Sequence, residues 1–534
     1  MDSVIYSPYD DYEGRLKQLH LDETTAYFDS LVKQSGIDIE ENRKTVKQYR
    51  DLCENLRKFT RRRNLLRFFR VLMCITVILI PVMIWVMTPK IRALREQIDQ
   101  ADSKSDELLA LAQRQMIPLN RLFTERDGIK LIEQTVPLIK FEPTLTVGQE
   151  LDMAVNFDLR EANDIEQSTL DVLAGHYNGN PFIFENRFIH TMGTETYHGS
   201  KTISWTETYR DTDGRTRTRT RTETLHASLV KPKPYYSTQV VLIYGAQGAP
   251  ELTFSRTATF INEKSDKAIE RHIKRGEKRL KKKTDRAISG NDSFMSMSNT
   301  DFEVLFNALN RSDEVQFRTM FTPLAQTNMV DLILADSAYG DDFTFIKLGR
   351  MNKIISKHSQ GRAMIIRPDS YVSYSYDIIR QNFISGNAEF FKAVYFDFAP
   401  LLAVPMYQER PVHSLKPIPD CAQCYSVRES EALVNTVDYR YLVHPDTKTH
   451  AIFKTDCVGT IGNTDEVSVT AYSYDIIPQI DYVSVHGGDG RFHSVPVHWD
   501  EYIPLEQSGR FFITEQGSAG SKSIASRNGM CIYN

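Results

Sequence analysis

Four stretches of the chain carry residue types that could do chemistry. In DYVSVHGGDGRFHSVPVHWDEYIPL, His486, His493 and His498 lie near Asp489, Asp500 and Glu501, the side chains that hold transition metals. A four-residue GGDG turn would set His486 opposite Arg491 and put His493 on that same face, with His498 turned away. Two imidazoles beside a cation make a poor ligand set, so the stretch reads as a hairpin with polar ends. Cys421 and Cys424 in CAQC have the spacing of half a zinc site or of a redox pair, but Cys457 and Cys531 are isolated, and no thioredoxin-like βαβ context surrounds CAQC. Unpaired core thiols are the plainer reading. GSAGSKS at 517–523 has two residues between its glycines where a phosphate loop has four, and an extra residue before the lysine. Asp341 and Asp342 in YGDDF are adjacent, so on a strand they point to opposite faces and cannot act as a catalytic pair. No catalytic residue, metal or cofactor is expected from these stretches.

What remains is electrostatic. Residues 210–230 read RDTDGRTRTRTRTETLHASLV, with Arg215, Arg217, Arg219 and Arg221 at alternate positions and threonines in the gaps. A spacing of two is the strand period, which lines the guanidinium groups along one face. KTISWTETYR and RTRTRTETLHASLV flank Asp213-Gly214, a pair suited to a two-residue hairpin turn. That turn would set Arg217 opposite Arg210, Arg219 opposite Thr208 and Arg221 opposite Thr206. Glu207 would then lie on the other face, and the ladder would stay unneutralised. A soluble ribbon whose charges protect its edges from aggregation has the same pattern.

A second basic element is SDKAIERHIKRGEKRLKKKTDRAIS, residues 265–289. As a helix it has a narrow apolar line of Ile269, Ile273 and Leu280, with Gly276 weakening it. Arg271, Lys274, Arg275, Lys278, Arg279, Lys281 and Lys282 supply its charge. A basic helix with so thin an apolar face lies on a surface or meets an anionic partner. These seven residues and the four ladder arginines form the candidate polyanion-binding set. The expected partner is anionic lipid or cell-envelope polymer. Nucleic acid is disfavoured, because no aromatic side chains interleave with the arginines for base stacking.

The elements that must carry these residues follow from composition and pattern. The chain has 534 residues, 25% charged and 41% hydrophobic, with a net charge of −4, which is ordinary globular composition and excludes wholesale disorder. Residues 71–88, VLMCITVILIPVMIWVMT, hold no charge and have the length of one membrane span. Arg57, Lys58, Arg61, Arg62, Arg63, Arg67 and Arg70 precede it, and Lys90, Arg92 and Arg95 follow. The larger basic excess before the span predicts a cytoplasmic N-terminus and an extracytoplasmic remainder.

The expected order is a cytoplasmic helical segment (1–67), a transmembrane helix (68–89) and a helical stalk (90–118). An α+β domain bearing the basic hairpin and basic helix follows (119–380), and a β-rich C-terminal domain closes the chain (381–534). Ile37, Ile39, Val46, Tyr49, Leu52 and Leu56 form a thin stripe that suggests a partner helix. Ile91, Leu94, Ile98, Ala101, Leu108 and Ala112 fall on a and d positions with Ser105 as a weak link, a pattern that allows a homodimer through the stalk. In EFFKAVYFDFAPLLAVPMY, Lys392, Asp397, Pro400 and Pro405 argue for a core segment over a second span.

GHYNGNPFIFEN, SWTETYRDTDGRTRTRTRTETLHASLVKP, EVQFRTMFTPLAQTNMVDLI, YGDDFTFIKLGRMN and HPDTKTHAIFKTD together resemble an uncharacterised family of membrane-anchored proteins from mollicutes and related Gram-positive bacteria. That resemblance implies bacterial origin and membrane anchoring, and no activity. The chain therefore reads as α+β: an N-terminal helical segment, one transmembrane helix, a helical stalk and a large mixed region rich in antiparallel strands. The expected function is a non-enzymatic binding or scaffolding module. The alternative is a membrane-anchored hydrolase acting on envelope material, which would need titratable side chains converging in a deep pocket.

Overall fold

The computed structural model describes residues 5–532 apart from 74–84, 86–87, 143, 160–163, 211, 291–293, 336–337, 412–424, 438, 463 and 515–529. Most of the expected span, and Cys74, CAQC and GSAGSKS, lie outside the described residues. Among those described, no helix is long and apolar enough to cross a membrane. The chain is α+β, as expected. It divides into two compact units: Asp10–Pro137 with Ile365–Val394, and Met1–Tyr9 with Leu138–Met364 and Tyr395–Asn534.

The unit containing Asp10–Pro137 is helical. It comprises α1 (Lys17–Ser35), α2 (Ile39–Met73), α3 (Thr88–Asn120) and α4 (Asp127–Thr135), together with residues 365–394. Gly36 ends α1 in the left-handed conformation, φ 64°, which a residue without Cβ adopts freely. Phe28 and Leu31 of α1, Met116 and Leu119 of α3, Leu131 of α4, and Tyr371 and Phe383 form one core. His20 is buried there between the Thr135 hydroxyl at 2.8 Å and the Asn387 carbonyl at 3.2 Å, stacked on Phe391.

The helices α2 and α3 run antiparallel. Asn42 Nδ2 donates to Gln115 Oε1 at 3.3 Å, Gln115 Nε2 donates to the Thr45 hydroxyl at 3.2 Å, and Cys53 Sγ lies 3.6 Å from Ser105 Oγ. The partner suggested by the stripe at 37–56 is thus α3 of the same chain. Ile91, Ile98, Ser105 and Ala112, one heptad apart, are all buried within the chain.

The other unit is built on two antiparallel sheets. In chain order its elements are β1 (Ile139–Glu142), α5 (Val147–Phe157), β2 (Gln167–Tyr177), β3 (Asn180–Arg210), β4 (Thr216–Gly245) and β5 (Thr253–Arg256). Next come α6 (Asp266–Gly290), α7 (Thr300–Phe306), α8 (Glu314–Met320), α9 (Pro323–Ile333), β6 (Phe343–Leu348) and β7 (Met351–Ser356). The helix α10 (Tyr376–Leu402) gives its C-terminal part to this unit. The chain ends with α11 (Val427–Val434), β8 (Ile452–Ile461), β9 (Thr464–His486), β10 (Phe492–Thr514) and β11 (Met530–Ile532).

One sheet has the order β1-β2-β3-β4-β7-β6-β5 and the other β11-β10-β9-β8. Met153 and Phe157 of α5 pack on Val172, Ile183, Val241 and Ile243 of the larger sheet together with Ala432. The next two residues of α11, Leu433 and Val434, pack on Phe453, Val467 and Phe511 of the smaller sheet. One short helix therefore contributes to both cores. The apolar segment at 389–407 is core, with Phe398, Ala399, Ala403 and Val404 fully buried. Thr322 caps α9 by accepting from Ala325 N, with Pro323 at the first position, as its sequence indicates. At α7 the cap is Asn299, accepting from Phe302 N, instead of a Thr300–Glu303 capping box. Glu303 is drawn off to pair with Arg311 at 2.6 Å.

KTISWTETYR and RTRTRTETLHASLV are the distal halves of two longer continuous strands, Asn180–Arg210 and Thr216–Gly245. The resulting β3–β4 ribbon spans roughly 100 Å at 3.3 Å per residue. It does not stand free along its length, because the β9–β10 hairpin packs against it. Ile203, Leu225 and Ala227 meet Val495 and Val497, flanked by Tyr197, Trp205, Val483 and Val485. Gly199 permits this approach: a Cβ there would sit 2.1 Å from the Pro496 carbonyl oxygen.

Candidate basic binding surface

The distal end of the ribbon carries the arginine ladder, in a register one residue away from the expected one. The pairs are Tyr209 with Arg217, Glu207 with Arg219 and Trp205 with Arg221, because the connection spans 211–215 and is not a two-residue Asp213-Gly214 turn. Directly opposed residues share a face. Glu207 thus lies among the arginines, correcting the expectation of an unneutralised ladder. Arg219 reaches Glu207 at 3.3 Å and Arg221 at 2.6 Å, and Arg219 also lies over the Tyr209 ring at 5.7 Å. Arg215 sits in the turn, exposed, and Arg217 is exposed on β4. This face is the continuation of the one that packs on β9–β10, whose own turn ends where Gly488 N donates to Glu223 at 2.6 Å.

The same one-residue offset occurs at 486–493. His486 opposes Phe492 and His493 opposes Val485, so His486 and His493 lie on opposite faces, while His498 shares the face of His486. His493 instead contacts Asp489 at 3.0 Å. Among the described residues no group of three or more His, Cys, Asp or Glu could hold a metal.

The basic helix α6 presents a different surface. It holds ten Lys or Arg against four Asp or Glu. Leu280 and Ala287 are buried, forming a cluster with Phe294, and Gly276 lies against Val304 of α7. The glycine that weakens the helix in isolation is what lets α7 approach: a Cβ would come 2.3 Å from Val304 Cγ1. Lys283, beside this buried face, covers the Phe294 ring at 3.9 Å and donates to the Leu309 carbonyl at 3.0 Å. At 100° per residue, Arg271, Lys274, Arg275, Lys278, Arg279, Lys281 and Lys282 fall within an arc of about 160° centred opposite Leu280 and Ala287. All seven are exposed, and none forms an ion pair among the described residues. His272, beside this face, is held below the ordinary imidazole value by burial and then by Lys264, Arg279 and Arg275.

The structure also contains buried charge that sequence reasoning missed. His358 Nδ1 lies 2.7 Å from Asp342 and Nε2 lies 3.3 Å from Asp397, which also accepts from Ser359 and Arg362. Burial opposes the charged imidazole, but hydrogen bonds to Asp342 and Asp397 outweigh it and raise His358 to about 9. Asp341 and Asp342 do diverge, Asp341 toward Arg256 and Thr259 and Asp342 toward His358. In a second cluster Arg428 binds Glu150 and Glu185, with Arg187 on Glu185 at 2.7 Å and Lys454 on Glu431 at 2.6 Å. Burial would raise Glu185, but Arg187 and Arg428 bring it to about 2. The burial of Arg428 depends on partners more than 240 residues away, Glu150 and Glu185.

Neither cluster lines the two described cavities. One, about 510 Å³, is lined by Leu145, Gln149, Asp152, His176, Pro181 and neighbours. The other, about 470 Å³, includes Phe188, Asn435, Lys448, Thr449 and His450. Neither brings a nucleophile, a base and an orienting group together, which is what turnover requires. No protein family, curated protein or solved structure matches the chain.

Proposed function

We propose that the chain is a membrane-associated, non-enzymatic binding or scaffolding protein whose α6 face engages a phosphate-bearing polyanion, either anionic lipid headgroups or cell-envelope polymer. The observation that carries this reading is the set of seven exposed basic residues on α6, opposite the buried Leu280 and Ala287. A face with seven exposed cations against one carboxylate in the same arc, Asp285, attracts anions and gains most where several charges act together. Near an anionic membrane each basic side chain contributes about 1 kcal/mol, so a handful suffices to hold an already tethered domain.

The ladder takes a secondary role, because Glu207 pairs with two of its four arginines. The resemblance of several stretches to membrane-anchored bacterial proteins is in keeping with the same setting. A hydrolase acting on envelope material finds less support, since the buried clusters consist of matched ion pairs away from the described cavities.

The test replaces Lys274, Arg275, Lys278 and Arg279 with Gln in the full chain. Binding is measured in parallel to anionic vesicles, zwitterionic vesicles and a bead-bound teichoic-type polymer. A fall of anionic-vesicle binding to the level seen with zwitterionic vesicles, with polymer binding kept, identifies lipid, and loss of polymer binding alone identifies polymer. Wild-type affinity of the variant in both arms refutes the reading.

A further inference from the structure

The antiparallel pairing of α2 and α3 constrains how residues 71–88 could meet a bilayer. If that apolar stretch crossed once, the residues before and after it would lie on opposite sides. Yet Asn42 bonds Gln115, Gln115 bonds Thr45, and Cys53 contacts Ser105. The burial of Ile91 and Ile98 extends the covered seam toward the start of α3. Two further contacts bring N-terminal residues against later ones: His20 lies on Thr135, and Ile5 is hydrogen-bonded through both N and O to Gln408. A membrane cannot lie between segments packed in this way.

Crossing twice is equally excluded by length. Fourteen residues, 74 to 87, connect the end of α2 to the start of α3. Going out and back leaves seven each way, at most about 25 Å fully extended and about 10 Å if helical, against a hydrocarbon core of roughly 30 Å.

The described ends of both arms favour lipid as the occupant. Leu65, Phe68, Phe69 and Trp85 are exposed at 57%, 63%, 44% and 84%. Among and below them is a collar with no acidic residue in 57–70 or 88–95, but with Arg57, Lys58, Arg61, Arg62, Arg63, Arg67, Arg70, Lys90, Arg92 and Arg95. Basic residues on both flanks leave the orientation of a single span poorly defined. They fit an arm whose two flanks meet the same layer of headgroups.

We propose that the α2–α3 arm is a monotopic membrane anchor: the exposed Leu65, Phe68, Phe69 and Trp85 at its end meet one leaflet, its basic collar lies at the headgroups, and both chain ends remain on the same side. This replaces the single crossing with the N-terminus and the large domain on opposite sides. It is independent of α6, because the apolar end would bind uncharged lipid as well.

The experiment uses the full chain with an epitope tag at each end, expressed in cells from which right-side-out and inverted membrane vesicles are prepared and treated with protease. Both tags should be digested in one preparation and protected in the other. Digestion of one tag in each preparation would restore the single crossing and overturn the proposal. As a second readout, purified protein is mixed with zwitterionic vesicles carrying bromine on the acyl chains, and wild-type fluorescence is compared with Trp85→Phe. Quenching present in the wild type and absent in the variant is expected. Phe68→Ser/Phe69→Ser should lower partitioning at least about fivefold. Absence of Trp85 quenching, with the chain left in the supernatant, would refute the anchor.

Discussion

Arg219 stands directly opposite Glu207 across the β3–β4 ribbon, 3.3 Å from a carboxylate that also receives Arg221 at 2.6 Å. That contact separates the two basic elements: the ladder carries its own counter-charge, while the seven exposed charges of α6 form no ion pair among the described residues. Arg219→Thr/Arg221→Thr/Glu207→Gln, which removes the two arginines together with their counter-charge and lowers the local charge by only one, should therefore change affinity for anionic vesicles by less than about threefold. Neutralising four α6 residues should lower it by at least about tenfold. Co-sedimentation at low salt compares the two, and equal losses would return the ladder to the primary role.

His358 should give stability a signature at alkaline pH. Its folded-state value, about 9, lies above the ordinary 6.5, so the native state holds the proton more tightly. The resulting stabilisation is complete below about pH 6.5 and fades as pH rises through about 9. Lys347, lowered to about 7 by burial, works in the opposite direction, so the wild-type profile alone does not isolate His358. The difference profile does. His358→Gln should lose about 3–5 kcal/mol at neutral pH, and the gap to wild type should narrow between pH 6.5 and 9. A constant gap in urea-denaturation midpoints across that window would contradict the assignment.

Removing Arg428 leaves Glu185 with Arg187 alone and the part-buried Glu150 with no cation among the described residues. Arg428→Met should cost about 3–5 kcal/mol, and adding Glu150→Gln should recover part of that loss by removing the carboxylate left without a cation. Urea unfolding of the single and double variants measures both, and strict additivity would show that the residues act independently.

The seat of α6 can be tested at Gly276. Gly276→Leu drives a side chain into Val304, which should destabilise by about 1–3 kcal/mol and raise hydrogen exchange along α6. Val304→Ala in the same chain should restore part of the protection. If it restores none, strain elsewhere is responsible.

The α+β class, the basic helix and the core character of 389–407 were legible because each depends on local pattern. Register was not. Both long hairpins close through five residues, where Asp213-Gly214 implied two and GGDG four; in each the register moves by one residue, and a one-residue slip exchanges every face. The Arg-Thr alternation cannot set the register, since neither of its faces is apolar. It is fixed further along, where Ile203, Leu225 and Ala227 seat against Val495 and Val497. The burial of Arg428 in α11 was equally hidden, because Glu185 and Glu150 lie hundreds of residues away in sequence. The stripe on α2 did announce a partner helix, but sequence did not show that the partner belonged to the same chain.

The most direct measurement is the affinity of the full chain for a soluble phosphate polymer across a salt series. The wild type is compared with a variant in which Arg271, Lys274, Arg275, Lys278, Arg279, Lys281 and Lys282 are all Gln. Neutralising polymer charge releases condensed counterions, so log affinity should fall linearly with log salt and the slope should count the engaged cations. A steep wild-type slope and a nearly flat variant slope are expected. Equal slopes, or no wild-type binding at low salt, would contradict α6 as the binding surface.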